Sequence, residues 1–147
     1  KEPGELAMSE SAVTGSCFCN KVSYEITGNM GVFQYCHCSR CRKVTGSAHA
    51  TNIFVSPGDF KWLSGEDCVT RYDPEHTKYF ATAFCKNCGS TLPWLSKSGK
   101  AVIVPAGTLD ADPGIRPQRN IYCGSRPEWY THASAIPEFD ETPRTKS

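Results

Sequence analysis

Seven of the nine cysteines fall into three short clusters, and this feature constrains the fold more than any other. The clusters read CFC from residue 17, CHCSRC from residue 36 and CKNC from residue 85. An odd number of cysteines without a secretory signal argues against a disulfide framework and favours metal ligation. The chain must therefore bring short segments that are distant in sequence together at metal sites.

The first and third clusters together predict one closed zinc site. In an extended CFC segment both cysteine side chains would share one face, with the phenylalanine on the other. In CKNCG the turn brings two sulfurs together, and the glycine accepts a positive φ. Four thiolates complete the tetrahedral coordination that is typical of structural zinc. The predicted ligands, called here the four-cysteine group, are Cys17, Cys19, Cys85 and Cys88.

The middle cluster, CHCSRC, offers three sulfurs, which we call the three-cysteine group: Cys36, Cys38 and Cys41. A catalytic zinc keeps one coordination position open, so three ligands predict a reactive site. A distant fourth ligand would instead close the site and make it structural. An iron–sulfur cluster fits less well, because such clusters usually take four protein ligands. The candidates for a fourth ligand are Cys68, Cys123, His37, His49, His76 and His132.

Basic residues accompany the middle cluster. Three thiolates and Zn²⁺ carry a net charge of −1, so nearby cations are expected to stabilise the centre. Arg40, Arg42 and Lys43 supply such cations, and we predict that they also contact an anionic substrate. Without that role, they would be an ordinary solvated turn.

Length and charge limit the functional classes. The chain has 147 residues, which suits a single domain, and a formal net charge of +1. Balanced charge argues against a dedicated nucleic-acid binder, and no apolar run is long enough to span a membrane. The N-terminal sequence also lacks the apolar core of a signal peptide, so we expect a cytoplasmic protein. These features leave the oligomeric state open.

The remaining sequence predicts an all-β fold with little helix. Short runs rich in Val, Ile, Tyr, Phe and Thr alternate with turn residues, and no long stretch keeps a helical period. A helix of one or two turns is expected from Ser39, capped by that residue and ended by Gly46. The predicted strands are 21–27, 32–38, 50–56, 60–64, 68–73, 78–85, 91–96, 101–107 and 119–125.

Domain limits and some single residues can also be assigned. We predict a disordered N-terminus or cloning remnant at 1–14, one zinc-binding domain at 15–143 and a tail at 144–147. Cys68 and Cys123 are expected to be buried as small apolar residues. Trp94 and Trp129 are expected to pack at the core or at a sheet edge, or to wall a pocket.

Four motifs resemble those of a known family. GSCFCNKVSYEI, CHCSRCRKVTGS, FCKNCGSTLPW and NIYCGSRPEWY match, in order and spacing, the glutathione-dependent formaldehyde-activating enzyme family, which includes centromere protein V. The match extends from about Gly15 to about Pro143. Asn20 departs from the pattern, because the family usually has glycine there, but asparagine also tolerates left-handed backbone.

The resemblance implies a β-tent of stacked antiparallel sheets with two zinc ions per chain. It implies a structural zinc at the four-cysteine group and a second zinc, proposed to meet the glutathione thiol, at the three-cysteine group. The implied activity is a carbon–sulfur lyase that condenses formaldehyde with glutathione to S-hydroxymethylglutathione. Because some members of this fold serve binding partners, a zinc-stabilised, non-catalytic binding module is the alternative.

Overall fold

The computed structural model describes residues 12–143, which contain ten β-strands and one α-helix. The elements are β1 (Val13–Ser16), β2 (Ser23–Ile26), β3 (Phe33–Cys36), α1 (Ser39–Thr45), β4 (Ala50–Val55), β5 (Phe60–Ser64), β6 (Val69–Tyr72), β7 (Thr82–Cys85), β8 (Trp94–Leu95), β9 (Val102–Pro105) and β10 (Arg119–Ile121). β1 ends just before the first cysteine cluster, β3 ends at the first cysteine of CHCSRC, and the helix begins within that motif.

The strands form three sheets. A three-stranded sheet has the order β1-β2-β5, a five-stranded sheet has the order β10-β3-β4-β9-β8, and β6 pairs with β7. All pairs are antiparallel except that of β10 with β3, which is parallel. The all-β prediction is therefore confirmed. Within residues 12–143, no helix is long and apolar enough to cross a membrane.

The main core lies between the three-stranded and five-stranded sheets. Tyr24 and Ile26 of β2 pack with Ile53 of β4 and Val104 of β9, and all four are buried. The Tyr24 hydroxyl has a hydrogen-bond partner in Thr108, with 2.6 Å between the oxygens. A buried hydroxyl needs such a partner, because an unpaired polar group in a core is costly. This core holds the ends of β3 and β4 in place beside the middle cysteine cluster.

Several predicted boundaries differ from the structure. β1 begins at Val13, before the predicted domain start at Gly15, and was not expected as a strand. The predicted strand 78–85 is a strand only over Thr82–Cys85, and residues 78–81 form a loop instead. The predicted strand 119–125 ends at Ile121, because Tyr122 takes a positive φ of 57°. Most of the predicted N-terminal segment and the whole tail lie outside the described residues.

Gly65 ends β5 in a conformation that favours glycine. Its φ is 74°, and a Cβ at this position would lie 2.0 Å from the carbonyl oxygen of Lys21. Lys21 belongs to the turn that follows Cys19, so Gly65 permits close approach between β5 and the first cysteine turn. The Lys21 oxygen is a backbone atom and not the end of a flexible side chain, so the backbone would have to move to admit a Cβ.

We predict that Gly65→Ala lowers the free energy of unfolding by about 2 kcal/mol, through left-handed strain and the clash with backbone. Chemical denaturation followed by tryptophan fluorescence measures this change. Gly58→Ala is the matched control, because a Cβ on Gly58 would meet nothing within 4 Å. Equal stability of the two variants would contradict the assigned role of Gly65.

Candidate metal centres

The four-cysteine group is assembled as its spacing predicts. Each pair of its sulfur atoms lies within 4.8 Å, although the two halves of the group are more than sixty residues apart. The Sγ atoms of Cys17 and Cys19 are 3.6 Å apart, and those of Cys19 and Cys85 are 3.9 Å apart. A tetrahedral zinc with bonds of about 2.3 Å places its sulfurs about 3.8 Å from each other. The observed separations therefore fit a zinc ion.

The first half of this group is a tight turn and not the extended segment that the sequence predicted. The backbone N–H of Asn20 donates to the carbonyl of Cys17 (3.0 Å), and Asn20 has a φ of 67°. The turn still points both sulfurs to one place. Phe18, expected in the opposite layer of a sheet, is 91% exposed instead. The prediction that the two sulfurs converge is confirmed, but the extended backbone behind it was wrong.

The second half of the group is a knuckle that follows β7. The N–H of Gly89 donates to the carbonyl of Cys85 (2.7 Å), and Gly89 has the predicted positive φ, here 80°. Ser90 connects the two halves. Its Oγ accepts a hydrogen bond from the N–H of Phe18 (2.9 Å) and lies 3.2 Å from the Cys88 sulfur.

Hydrogen-bond donors surround the sulfurs of the four-cysteine group. The N–H of Val22 donates to Cys17 (3.4 Å), and the Asn87 amide donates to Cys19 (3.2 Å). The Ser90 hydroxyl and backbone N–H lower the pKa of Cys88. Such donors favour thiolates, which are the form that binds metal. The chemistry of the donor set thus agrees with its geometry.

The three-cysteine group sits where β3 passes into α1. Cys36 is the last residue of β3, and Cys41 lies on the buried side of the helix. Cys38, and not Ser39 as predicted, caps the helix: its sulfur accepts a hydrogen bond from the N–H of Cys41 (3.4 Å). Gly46 ends the helix with a φ of 67°, as predicted. All three cysteines are buried, and their sulfurs lie within 4.8 Å of one another.

Cys36 and Cys41 in this group shift each other's pKa in opposite directions. A hydrogen bond from the Cys41 thiol lowers the pKa of Cys36. The same hydrogen bond, together with burial and repulsion from Cys36, raises the pKa of Cys41. Without a cation the buried sulfurs therefore retain a proton between them. A bound divalent cation would displace that proton and offset two of the three thiolate charges.

His37 supports the group from the opposite face of the sheet. Its ring is fully buried and packs in a T-shaped arrangement against the ring of His49, with 4.9 Å between the ring centroids. Its Nε2 atom lies 2.9 Å from the side-chain oxygen of Asn120. Its backbone N–H donates to the carbonyl of Ile121 (3.0 Å). These contacts hold the segment between Cys36 and Cys38, so they support a structural role for His37.

The described residues provide three ligands at this centre and no fourth. None of the six predicted candidates lies in the three-cysteine group of residues 12–143. Cys68 packs against the four-cysteine group, and Cys123 is exposed, so its predicted burial was wrong. Of the six candidates, only His76 lines the cavity into which the three-cysteine group opens.

A cavity of about 770 Å³ opens onto the three-cysteine group. All three cysteines line it, together with the neutral amides Gln34 and Asn52 from adjacent strands. The loop 76–80 and the hairpin 96–101 supply further wall. The cationic and aromatic side chains along the wall include Arg40, Lys78, Lys100, Phe54, Tyr79, Phe80, Trp94 and Tyr122.

Some of the residues that were predicted to contact a substrate or to wall a pocket line this cavity, and others do not. Arg40 lines it, whereas Arg42 and Lys43 do not. Trp94 also lines it, but Trp129 is 66% exposed and lies outside, so its predicted packing in the core was wrong. Sequence reasoning missed Lys78 and Lys100, because both follow turn residues in segments without a motif.

Comparison with known proteins places the chain in a family. The family model described as "Glutathione-dependent formaldehyde-activating enzyme" matches residues 12–125, which include all seven clustered cysteines. The chain belongs to this family. The predicted family is thereby confirmed, and both cysteine groups and the lining residues of the cavity lie within the matched range. The match ends at residue 125, within the fourth motif, so the predicted extent to about Pro143 is not covered by it.

Individual relatives agree with this assignment. A Halomonas elongata protein named "Putative glutathione-dependent formaldehyde-activating enzyme" is 27% identical over 131 residues, covering 78% of this chain and 77% of the relative. The crystal structure of a Rhodobacter sphaeroides protein, a structural-genomics target, superposes with a TM-score of 0.57 at 22% identity. That alignment covers 71% of this chain and 97% of the other, and it supports the fold.

We predict that replacing one cysteine in each group has unequal effects. Cys85 is fully buried, and its group joins two separate turns within a small core. A structural zinc site contributes an apparent ~10–16 kcal/mol in small peptides, which matches the ~5–15 kcal/mol stability of a whole domain. Cys85→Ser should therefore abolish cooperative unfolding. Cys41→Ser should leave a folded β-protein with less bound metal.

Thermal denaturation and metal analysis of both variants measure this difference. Cys123→Ser is the matched control, because this exposed thiol belongs to neither group. If Cys85→Ser melted like the native protein after losing one metal ion, the structural role of the four-cysteine group would be wrong. If Cys41→Ser were equally unfolded, both groups would be structural.

Proposed function

We propose that the protein is a zinc-dependent carbon–sulfur lyase, which adds a small thiol such as glutathione to an aldehyde such as formaldehyde, or reverses that addition. The observation that carries the proposal is the cavity that opens onto exactly three clustered cysteines. A four-cysteine site is closed to further ligands, but a three-cysteine site is not. The family match supports the same chemistry.

The two cysteine groups would have different roles. Cys17, Cys19, Cys85 and Cys88 would hold a structural zinc ion. Cys36, Cys38 and Cys41 would hold a second one. An ion at the second site would supply a Lewis acid that lowers the pKa of a thiol ligand.

The protein's own residues would bind and orient the reactants. Arg40 lines the cavity beside the sulfurs, where its charge offsets that of the thiolates. The apolar side chains of Trp94, Phe80 and Ile103 line the same cavity and would supply its apolar contacts with the reactants. In the forward direction the substrate thiolate forms a bond to the aldehyde carbon, and the carbonyl oxygen receives a proton. The thiol proton is thus transferred from sulfur to oxygen overall, so no oxidant is required.

None of the nine cysteines, which all lie within the described residues, forms a disulfide. This state fits a reducing compartment and supports our placing the protein in the cytoplasm. A thiol is the small-molecule partner proposed, and balanced total charge gives no support to nucleic-acid binding.

We predict that the cobalt-substituted protein responds to glutathione at one of its two sites. The absorption of the ion at the three-cysteine group should change, while that of the ion at the four-cysteine group should not. The affinity should rise with pH until the free thiol is itself ionised, because binding releases a proton. Visible absorption spectra recorded during a titration measure both effects.

Two controls make this test specific. Cys41→Ser should lose the response, whereas Cys123→Ser should keep it. Formation of S-hydroxymethylglutathione, followed by NMR with labelled formaldehyde, should be accelerated by the native protein and not by Cys41→Ser. If the cobalt spectrum ignored millimolar thiol at every pH and no acceleration occurred, the protein would be better described as a zinc-stabilised binding module.

A further inference from the structure

We infer that Lys78 and Lys100 form a carboxylate-binding site in the cavity and select a thiol that carries carboxylate groups. The inference deepens the proposed function and rests on it, because it concerns which thiol enters the same cavity. Both residues line the cavity together with the three-cysteine group. Neither lies in a cysteine motif.

The charge on the cavity wall is one-sided. The whole chain is balanced, with 16 Lys and Arg against 15 Asp and Glu. The cavity wall contains Arg40, Lys78 and Lys100, and no Asp or Glu among the described residues lines it. A cleft lined by one sign of charge concentrates ligands of the opposite sign. The wall therefore favours an anion over a neutral or cationic ligand.

Neither lysine forms an ion pair with another of the described residues. Between residues 12 and 143 the side-chain ion pairs are those of Arg71 with Asp73 and of Arg116 with Asp112. The ammonium of Lys78 lies 5.4 Å from the ring of Tyr79, which leaves its hydrogen-bond donors available. Arg40 differs, because it lies within the CHCSRC motif, between Cys38 and Cys41. The two lysines are therefore available to bind a part of the ligand that lies away from its sulfur.

Lys97 fastens the two segments that carry these lysines. It lies in the hairpin that bears Lys100, and its ammonium donates to Thr77 through the carbonyl (2.8 Å) and through Oγ1 (3.0 Å). It also donates to the carbonyl of Pro74, and its backbone N–H donates to the carbonyl of Tyr79 (3.2 Å). The loop with Lys78 is therefore joined to the hairpin before any ligand binds, which reduces the entropy cost of binding.

The wall also offers neutral amides. Gln34 and Asn52 are directly paired across β3 and β4, and both line the cavity. The Gln34 side-chain oxygen accepts a hydrogen bond from Arg119 (2.8 Å), so the orientation of this amide is fixed. Amides of this kind match the peptide groups of a ligand. The combined features indicate a peptide-like thiol with free carboxylates and not a simple alkyl thiol.

The test compares glutathione with two of its derivatives, one altered only at the sulfur and the other only at the carboxylates. S-Methylglutathione keeps both carboxylates but has no thiol to ionise, whereas glutathione diethyl ester keeps the thiol and loses the carboxylate charges. Calorimetric titration of the zinc-loaded protein measures the affinity for each. The double variant Lys78→Gln, Lys100→Gln should bind S-methylglutathione about tenfold more weakly, since partly exposed ion pairs contribute up to about fivefold each. Its affinity for the diester should not change.

The matched control is the double variant Lys21→Gln, Lys61→Gln, which removes the same charge from exposed lysines outside the cavity. It should bind S-methylglutathione as the native protein does, and added salt should weaken native binding. Equal loss in both double variants, or equal native affinity for glutathione and for its diethyl ester, would overturn the carboxylate site while leaving the thiol chemistry intact. If no thiol bound to the native protein, the proposed function would fail together with this inference.

Discussion

The convergence of four sulfurs between two distant turns is the contact on which the rest of the structure depends. One turn follows β1 and the other follows β7, so this group joins the three-stranded sheet to the β6–β7 ribbon. The apolar core around it is small, with Val22, Ala83 and Leu92 as its other buried members. Such a cluster buries too little apolar surface to order both turns, so metal ligation is expected to supply the missing stability.

The second group depends on a different core. Cys36 ends β3, which is paired with β4 and β10 in the centre of the five-stranded sheet. Its strand is therefore held by the main core even without a metal. Cys38 and Cys41 then belong to a short helix, whose cap is made by the Cys38 sulfur itself. Under the proposed function, this separation would let the second site exchange ligands without loosening the fold.

The cysteine ligands and the fold class could be predicted from sequence, because spacing and turn residues are local signals. C-x-x-C-G encodes its turn in five residues, and Gly89 adopts the expected conformation. Other features depend on contacts that no local pattern records. Thr82–Cys85 is shorter than its apolar run, and in the loop before it the Thr77 carbonyl accepts a hydrogen bond from the Lys97 ammonium, a contact between segments distant in sequence. The positive φ of Tyr122 likewise has no signal in a residue type that seldom adopts it.

The two groups show how one ligand type can serve two purposes. Their sulfurs have the same chemistry and similar spacing, so the difference must come from what surrounds them. The four-cysteine group lies between a small core and donors such as Val22 N–H and Asn87, which complete a closed shell. The three-cysteine group instead faces a cavity whose wall is cationic. Because thiolate charge is balanced from the cavity side, an anionic ligand can approach the sulfurs without meeting a carboxylate. Access and charge, more than ligand identity, therefore distinguish the surroundings of the two groups.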